Sequence, residues 1–203
     1  MKNIILIGYM GCGKSTVGKN LARICGYTFL DTDEWIEEQQ GRSISEIFAT
    51  DGEEAFREME TACIRTLIQD KQEGYVISTG GGMPVREVNR KLLKQLGKVI
   101  YLSVRPETVY ERIKGDTKRP LLQCEDPLSR MREMIAVRAP LYKDGADFTI
   151  RVDTLKQSTI AIKIKKLVMK PSHKKQAYRK RMQKRKDERN KKGIGSKNET
   201  ISN

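Results

Sequence analysis

The sequence predicts an α/β fold, a three-layer sandwich with a five-stranded parallel sheet between helices. Three observations lead there. Five short apolar runs alternate with helical stretches, which is the pattern of βαβ units. A glycine-rich turn follows the first run directly. The second and third runs then end in polar clusters, "DTD" and "STGGG", at what would be the carboxyl edge of the sheet, where ligands sit in folds of this class.

The first run, residues 3–7 ("NIILI"), reads as a buried strand. It leads into "GYMGCGKSTVG", in which Gly8, Gly13, Lys14 and Ser15 have the spacing G-x-x-x-x-G-K-[ST] of a phosphate-binding loop. Glycine lets the backbone turn tightly and bring its N–H groups close to an anion. Lys14 can reach the outer phosphates and Ser15 can ligate Mg²⁺. A helix over 17–25 points its positive end at the charge. The chain is therefore expected to bind a nucleoside triphosphate.

A second strand at 28–31 runs into "DTD". Two apart on a strand, Asp31 and Asp33 would point the same way, beside the phosphate loop. One carboxylate can hold Mg²⁺ or its waters, and the other can accept a proton or hydrogen bond from a substrate hydroxyl. Asp33 can also cap a helix beginning at Glu34. The helix expected over 53–69 carries Arg57, with Glu53 and Glu60 at the spacing of ion pairs on a solvated helix face. A third strand, 75–79, ends in "VISTGGG". Ser78 and Thr79 stand where many phosphate-loop enzymes carry an acidic residue, and Gly80, Gly81 and Gly82 would present successive N–H groups to a ligand.

A helix over 85–96, a strand over 98–104 and a helix over 106–114 come next. Residues 114–124, "KGDTKRPLLQC", read as a mobile loop whose basic residues can fold over a polyphosphate. The helix expected over 126–143 holds Arg138, near Pro140, which should kink or end it. A fifth strand over 147–152 and a helix over 154–169 complete the pattern, and Pro171 stops that helix. Together, two arginine forks, a carboxylate and backbone donors suit a small polyhydroxylated carboxylic acid.

The formal net charge of +14 is unevenly placed. Residues 163–203 hold 16 of the 40 Lys and Arg and three of the 26 acids, a balance of +13. The preceding 162 residues hold 24 bases and 23 acids, a balance of +1. Residues 169–203 lack the apolar content for a core and read as a basic, disordered tail. Either that tail is simply solvated, or "KKQAYRKRMQKRK" contacts RNA or another anionic surface. Four cysteines without C-x-x-C or metal spacing, and a single histidine, argue for a reducing compartment and against a zinc site. No run reaches the ~18 apolar residues of a membrane span. A cytoplasmic monomer is the expectation.

The ordered set "GYMGCGKST", "DTD", "FRE-E", "STGGG", "RPLL" and "R-PLY" resembles the shikimate kinase family over about residues 1–168. The resemblance implies the phosphate-loop NTPase fold of nucleoside monophosphate kinase type. It also implies ATP-dependent phosphorylation of the 3-hydroxyl of shikimate in aromatic amino-acid biosynthesis. On it, Gly11, Cys12, Gly13, Lys14, Ser15 and Thr16 would hold the phosphates, with Ser15 and, through water, Asp31 around Mg²⁺. Asp33 would bind the shikimate hydroxyls near the attacking oxygen. Arg57 and Arg138 would pair with its carboxylate, and Gly80, Gly81 and Gly82 would line its ring. Arg119 matches a lid arginine near the phosphates, and Arg112 one that stacks on adenine. Phe48, Phe56 and Glu60 match the shikimate-binding subdomain. The alternatives are a kinase for another sugar acid such as gluconate, or a degenerate nucleotide-binding core with an RNA-binding tail.

Overall fold

The computed structural model describes residues 2–71, 73–115 and 125–169. Arg119, most of the expected 114–124 lid and the basic tail lie outside the described residues.

Five strands form one parallel sheet: β1 (Asn3–Ile7), β2 (Thr28–Asp31), β3 (Tyr75–Ser78), β4 (Gly97–Ser103) and β5 (Phe148–Arg151). Their spatial order is β2-β3-β1-β4-β5, so β1 is the central strand. All of its residues are buried, as expected of a parallel strand covered on both faces. Register pairs Leu6 with Ser78, and Ser78 with Asp31. The carboxyl ends of β1, β2 and β3 are thereby brought level, and the sequence clusters that follow them meet at one edge.

Eight helices are described. α1 (Lys14–Cys25) and α8 (Gln157–Val168) pack together on one face of the sheet. α4 (Gly52–Gln69), α5 (Glu87–Leu96) and α7 (Pro127–Gly145) pack on the other, with α6 (Pro106–Ile113) against α7. α2 (Thr32–Gln40) and α3 (Ile44–Thr50) lean on the start of α4. The three-layer α/β expectation therefore holds.

Three local details go beyond the sequence pattern. The helix after the phosphate loop starts at Lys14 rather than 17, because Gly13 adopts φ 95° and begins the helix in a left-handed conformation open to glycine. α3 escaped the pattern reading because it is only seven residues long. It is fixed by a capping box in which Ser43 and Glu46 satisfy each other's backbone N–H. α7, expected over 126–143 with Pro140 kinking or ending it, runs through Pro140 and on to Gly145. Both Pro140 and Ala136, four residues earlier, are exposed, so the carbonyl orphaned by the proline is within reach of water. Meanwhile Ile135 and Tyr142 bury the helix on both sides of the break.

The opposite edge of the sheet is tied by one side chain. Asn3, 1% exposed, donates from Nδ2 to the Leu96 carbonyl at the end of α5 (3.2 Å). Its Oδ1 accepts the Tyr75 N–H at the start of β3 (3.0 Å). Asn3→Ala is expected to leave both backbone groups buried without these partners, at a cost of about 2–3 kcal/mol in chemical denaturation.

Candidate active site

The phosphate loop is built by the turn out of β1. Gly11 and Gly13 take φ of 70° and 95°, values that side-chain-bearing residues rarely adopt. Gly13 supplies no capping side chain, so the leading amides of α1 remain available to an anion. Lys14 lies back along its own loop, with Nζ donating to the carbonyls of Gly8 (2.9 Å) and Tyr9 (3.1 Å). A cavity of about 700 Å³ opens over this loop. Gly11, Cys12, Gly13, Lys14, Ser15, Thr16 and Arg112 all line it, together with Ile113 and Leu155, Lys156, Gln157 and Ile160. The last four, from the segment leading into α8 and from α8 itself, carry no motif, and only folding reveals them. Arg112 is held by the carbonyls of Gly11 (3.3 Å), Cys12 (3.5 Å) and Val152 (3.1 Å).

Ser15 Oγ donates to Asp31 Oδ2 at 2.9 Å and lies 3.4 Å from Ser78 Oγ. Oxygen ligands from one carboxylate and hydroxyls suit a hard cation such as Mg²⁺ that keeps bonds to substrate phosphates and water. The two aspartates of "DTD" do not share a strand. β2 ends at Asp31, which caps α2 by accepting the Asp33 N–H at 3.1 Å. Asp33 is therefore the second residue of the helix, not its cap, and the turn carries it away from Asp31 toward β3.

There Asp33 meets the glycine run. A Cβ on Gly80 would lie 2.5 Å from Asp33 Oδ1 and 3.0 Å from Glu60 Oε1, and one on Gly82 would overlap the Arg57 guanidinium. None of the three glycines has positive φ, so their value lies in close approach. Nor are all their amides free: Gly80 N–H donates to Thr32 Oγ1 at 3.0 Å. Thr32, hidden between the aspartates, has its own anchoring function.

Arg57 makes both expected ion pairs. It bonds Glu53 from Nη2 (2.8 Å) and Glu60 from Nη1 (2.8 Å). The pairs are unequal. Glu53 is exposed, whereas the Glu60 side chain is fully buried, which a merely solvated helix face would not do. Burial pushes the Glu60 carboxyl up, against the pull of Arg57. Phe56 packs on Phe48 with ring centroids 4.9 Å apart. Arg138 is half-buried on α7, beside the hydroxyl of Tyr142, and its charge is felt at Tyr9 and Glu53.

Carboxylate, guanidinium pair and phosphate loop thus converge on one carboxyl edge. A family described as "Shikimate kinase" matches residues 10–169. The chain belongs to the shikimate kinase family. The shikimate kinase of Thermodesulfovibrio yellowstonii is 44% identical over 164 residues, covering 81% of this chain and 93% of that one. That of Neisseria gonorrhoeae is 46% identical over 154 residues, 74% of this chain and 89% of its own. The solved shikimate kinase from Acinetobacter baumannii, in complex with shikimate, superposes with a TM-score of 0.77 at 40% identity, over 83% of this chain and 93% of that chain. Membership of the shikimate kinases also settles the fold as the phosphate-loop, nucleoside monophosphate kinase-like type.

Asp33 carries the electrostatic cost of the site. Burial, reinforced by the neighbouring Asp31 charge and opposed by Lys14, raises its carboxyl to about 6. The folded-state value lies above that of the unfolded chain, so folding favours the neutral acid. The penalty for ionising it is absent below about pH 4, grows up to about pH 6 and stays constant beyond. Asp33→Asn should therefore stabilise the protein by about 1–3 kcal/mol at pH 7 and hardly at all at pH 4, read from denaturant midpoints at the two pH values.

Proposed function

We propose that this enzyme, a shikimate kinase, transfers the γ-phosphate of ATP to the 3-hydroxyl of shikimate through the residues of this edge. The observation that carries the reading is the meeting of Asp33, Glu60 and Arg57 on the Gly80–Gly82 run, next to the phosphate loop. In one place it offers an acceptor for hydroxyls and a fork for a carboxylate.

The α1 amides and Lys14 receive the phosphates, Lys14 exchanging its two loop carbonyls for phosphate oxygens. Ser15 and, through water, Asp31 would hold Mg²⁺, which when bound would neutralise charge on the transferred group. Arg57 keeps Glu60 behind it and gives up the exposed Glu53 for the substrate carboxylate, a cheap exchange because a surface pair contributes little. Arg138 approaches the same carboxylate. Gly80, Gly81 and Gly82 let the ring lie close. Asp33, ionised above about pH 6, accepts the proton of the 3-hydroxyl as that oxygen bonds to the γ-phosphorus. The bond to the β,γ-bridging oxygen breaks and ADP leaves. Arg112 packs on the adenine side of the cavity, and Arg119 joins by its place in the "RPLL" motif alone. Positioning and charge neutralisation account for most of the acceleration.

The test is ADP release with ATP, Mg²⁺ and, separately, shikimate, gluconate or no acceptor. Release requiring shikimate is expected. Asp33→Asn should lower kcat by at least ~100-fold, and Arg57→Ala should raise the KM for shikimate by ~10-fold or more while sparing that for ATP. Equal release with gluconate or without acceptor would overturn the substrate assignment.

ATP use and the free thiols Cys12, Cys25 and Cys63 fit a cytoplasmic enzyme, acting as a monomer. Among the described residues no helix is long and apolar enough to cross a membrane. The +13 balance of residues 163–203 favours a second, polyanion-binding role for the tail. Deleting residues 171–203 should abolish salt-sensitive RNA binding and leave shikimate phosphorylation intact. Unchanged RNA affinity would exclude that role.

A further inference from the structure

Tyr142 is fully buried, yet its hydroxyl is not idle. It donates to the Gly81 carbonyl at 2.7 Å, and Arg138 stands one helical turn earlier on the same helix, α7. Its ring packs on Tyr101 of β4 at a centroid distance of 5.2 Å, which fixes the hydroxyl against the sheet. Gly81 is the middle residue of the glycine run. On one side of it Gly80 receives Asp33 and Glu60, and on the other Gly82 receives Arg57. A single phenol therefore ties the backbone beneath Asp33 and Arg57 to α7, the helix that carries Arg138 one turn away.

We propose that Tyr142 is a positioning residue for the acceptor, holding Arg138 and the glycine run in one register so that both arginines engage the substrate carboxylate together. This rests on the functional reading above. The hydroxyl acts through the Gly81 backbone and α7, without touching the reacting atoms. Without the hydroxyl the Gly81 carbonyl loses its donor and α7 loses this anchor to the glycine run, which loosens the placement of Arg138.

Tyr142→Phe keeps the ring and removes only the oxygen. Steady-state kinetics on the full chain should show the KM for shikimate raised about 3- to 10-fold, with the KM for ATP and kcat within about twofold of wild type. The methyl ester of shikimate, which lacks the carboxylate charge, serves as the second acceptor. The variant should lose little or nothing further with the ester, because Arg138 then has no anion to meet. A purely structural role would instead lower the melting temperature and penalise both acceptors alike. That outcome, or a wild-type KM for shikimate in the variant, overturns the proposal. Should the wild-type protein itself fail to phosphorylate shikimate, the functional reading falls and the proposal falls with it.

Discussion

The acceptor side of this enzyme depends on the absence of two side chains. At Gly80 and Gly82 the backbone of the β3 edge comes so close to Asp33, Glu60 and Arg57 that a methyl group at either position would intrude on them. Charged groups of both signs are therefore packed against main chain rather than against other side chains. Their geometry is set by the sheet, whose parallel register brings the ends of β1, β2 and β3 level. Everything chemical in the site stands on that shared edge.

Such packing has an electrostatic consequence. Asp33 and Glu60 each keep one buried oxygen with no hydrogen-bond partner among the described residues. Burial raises both carboxyls; the Asp33 charge raises Glu60 further, and the Asp31 charge raises Asp33. Arg57 offsets part of this, and Lys14 part of the charge at Asp33. A site of this kind is costly to the fold, because buried acceptors without donors oppose folding. It suits a protein whose task is to receive a hydroxyl and a carboxylate, since ligand groups then meet acceptors and forks already in place.

The two halves of the site are made differently. The phosphate side is local: Gly8 to Thr16 is one turn and the first residues of one helix, with Asp31 reaching over from the end of β2, two strands away. The acceptor side is assembled from four places far apart in the chain, namely α2, α4, the glycine run and α7. That difference explains why the phosphate loop could be read directly from spacing, while Arg57 and Arg138 looked like ordinary helix-surface arginines until the motifs were taken together.

By itself the sequence determined the alternation of strands and helices, the phosphate loop and the residue types available for an acidic, hydroxylated substrate. These follow from hydrophobic period, from the backbone freedom of Gly13 and from chemical composition, all of which are local properties. Local rules also misplaced some details. Pro140 does not end its helix, because burial on both sides outweighs one lost hydrogen bond, and Asp31 rather than Asp33 caps α2. Only the tertiary structure decided that Asp33 and Glu60 share the notch above Gly80, that Thr32 takes the Gly80 amide, and that the Tyr142 hydroxyl reaches the Gly81 carbonyl. Each is a contact between segments distant in the chain, and such contacts exist only once the sheet has set its strand order and register.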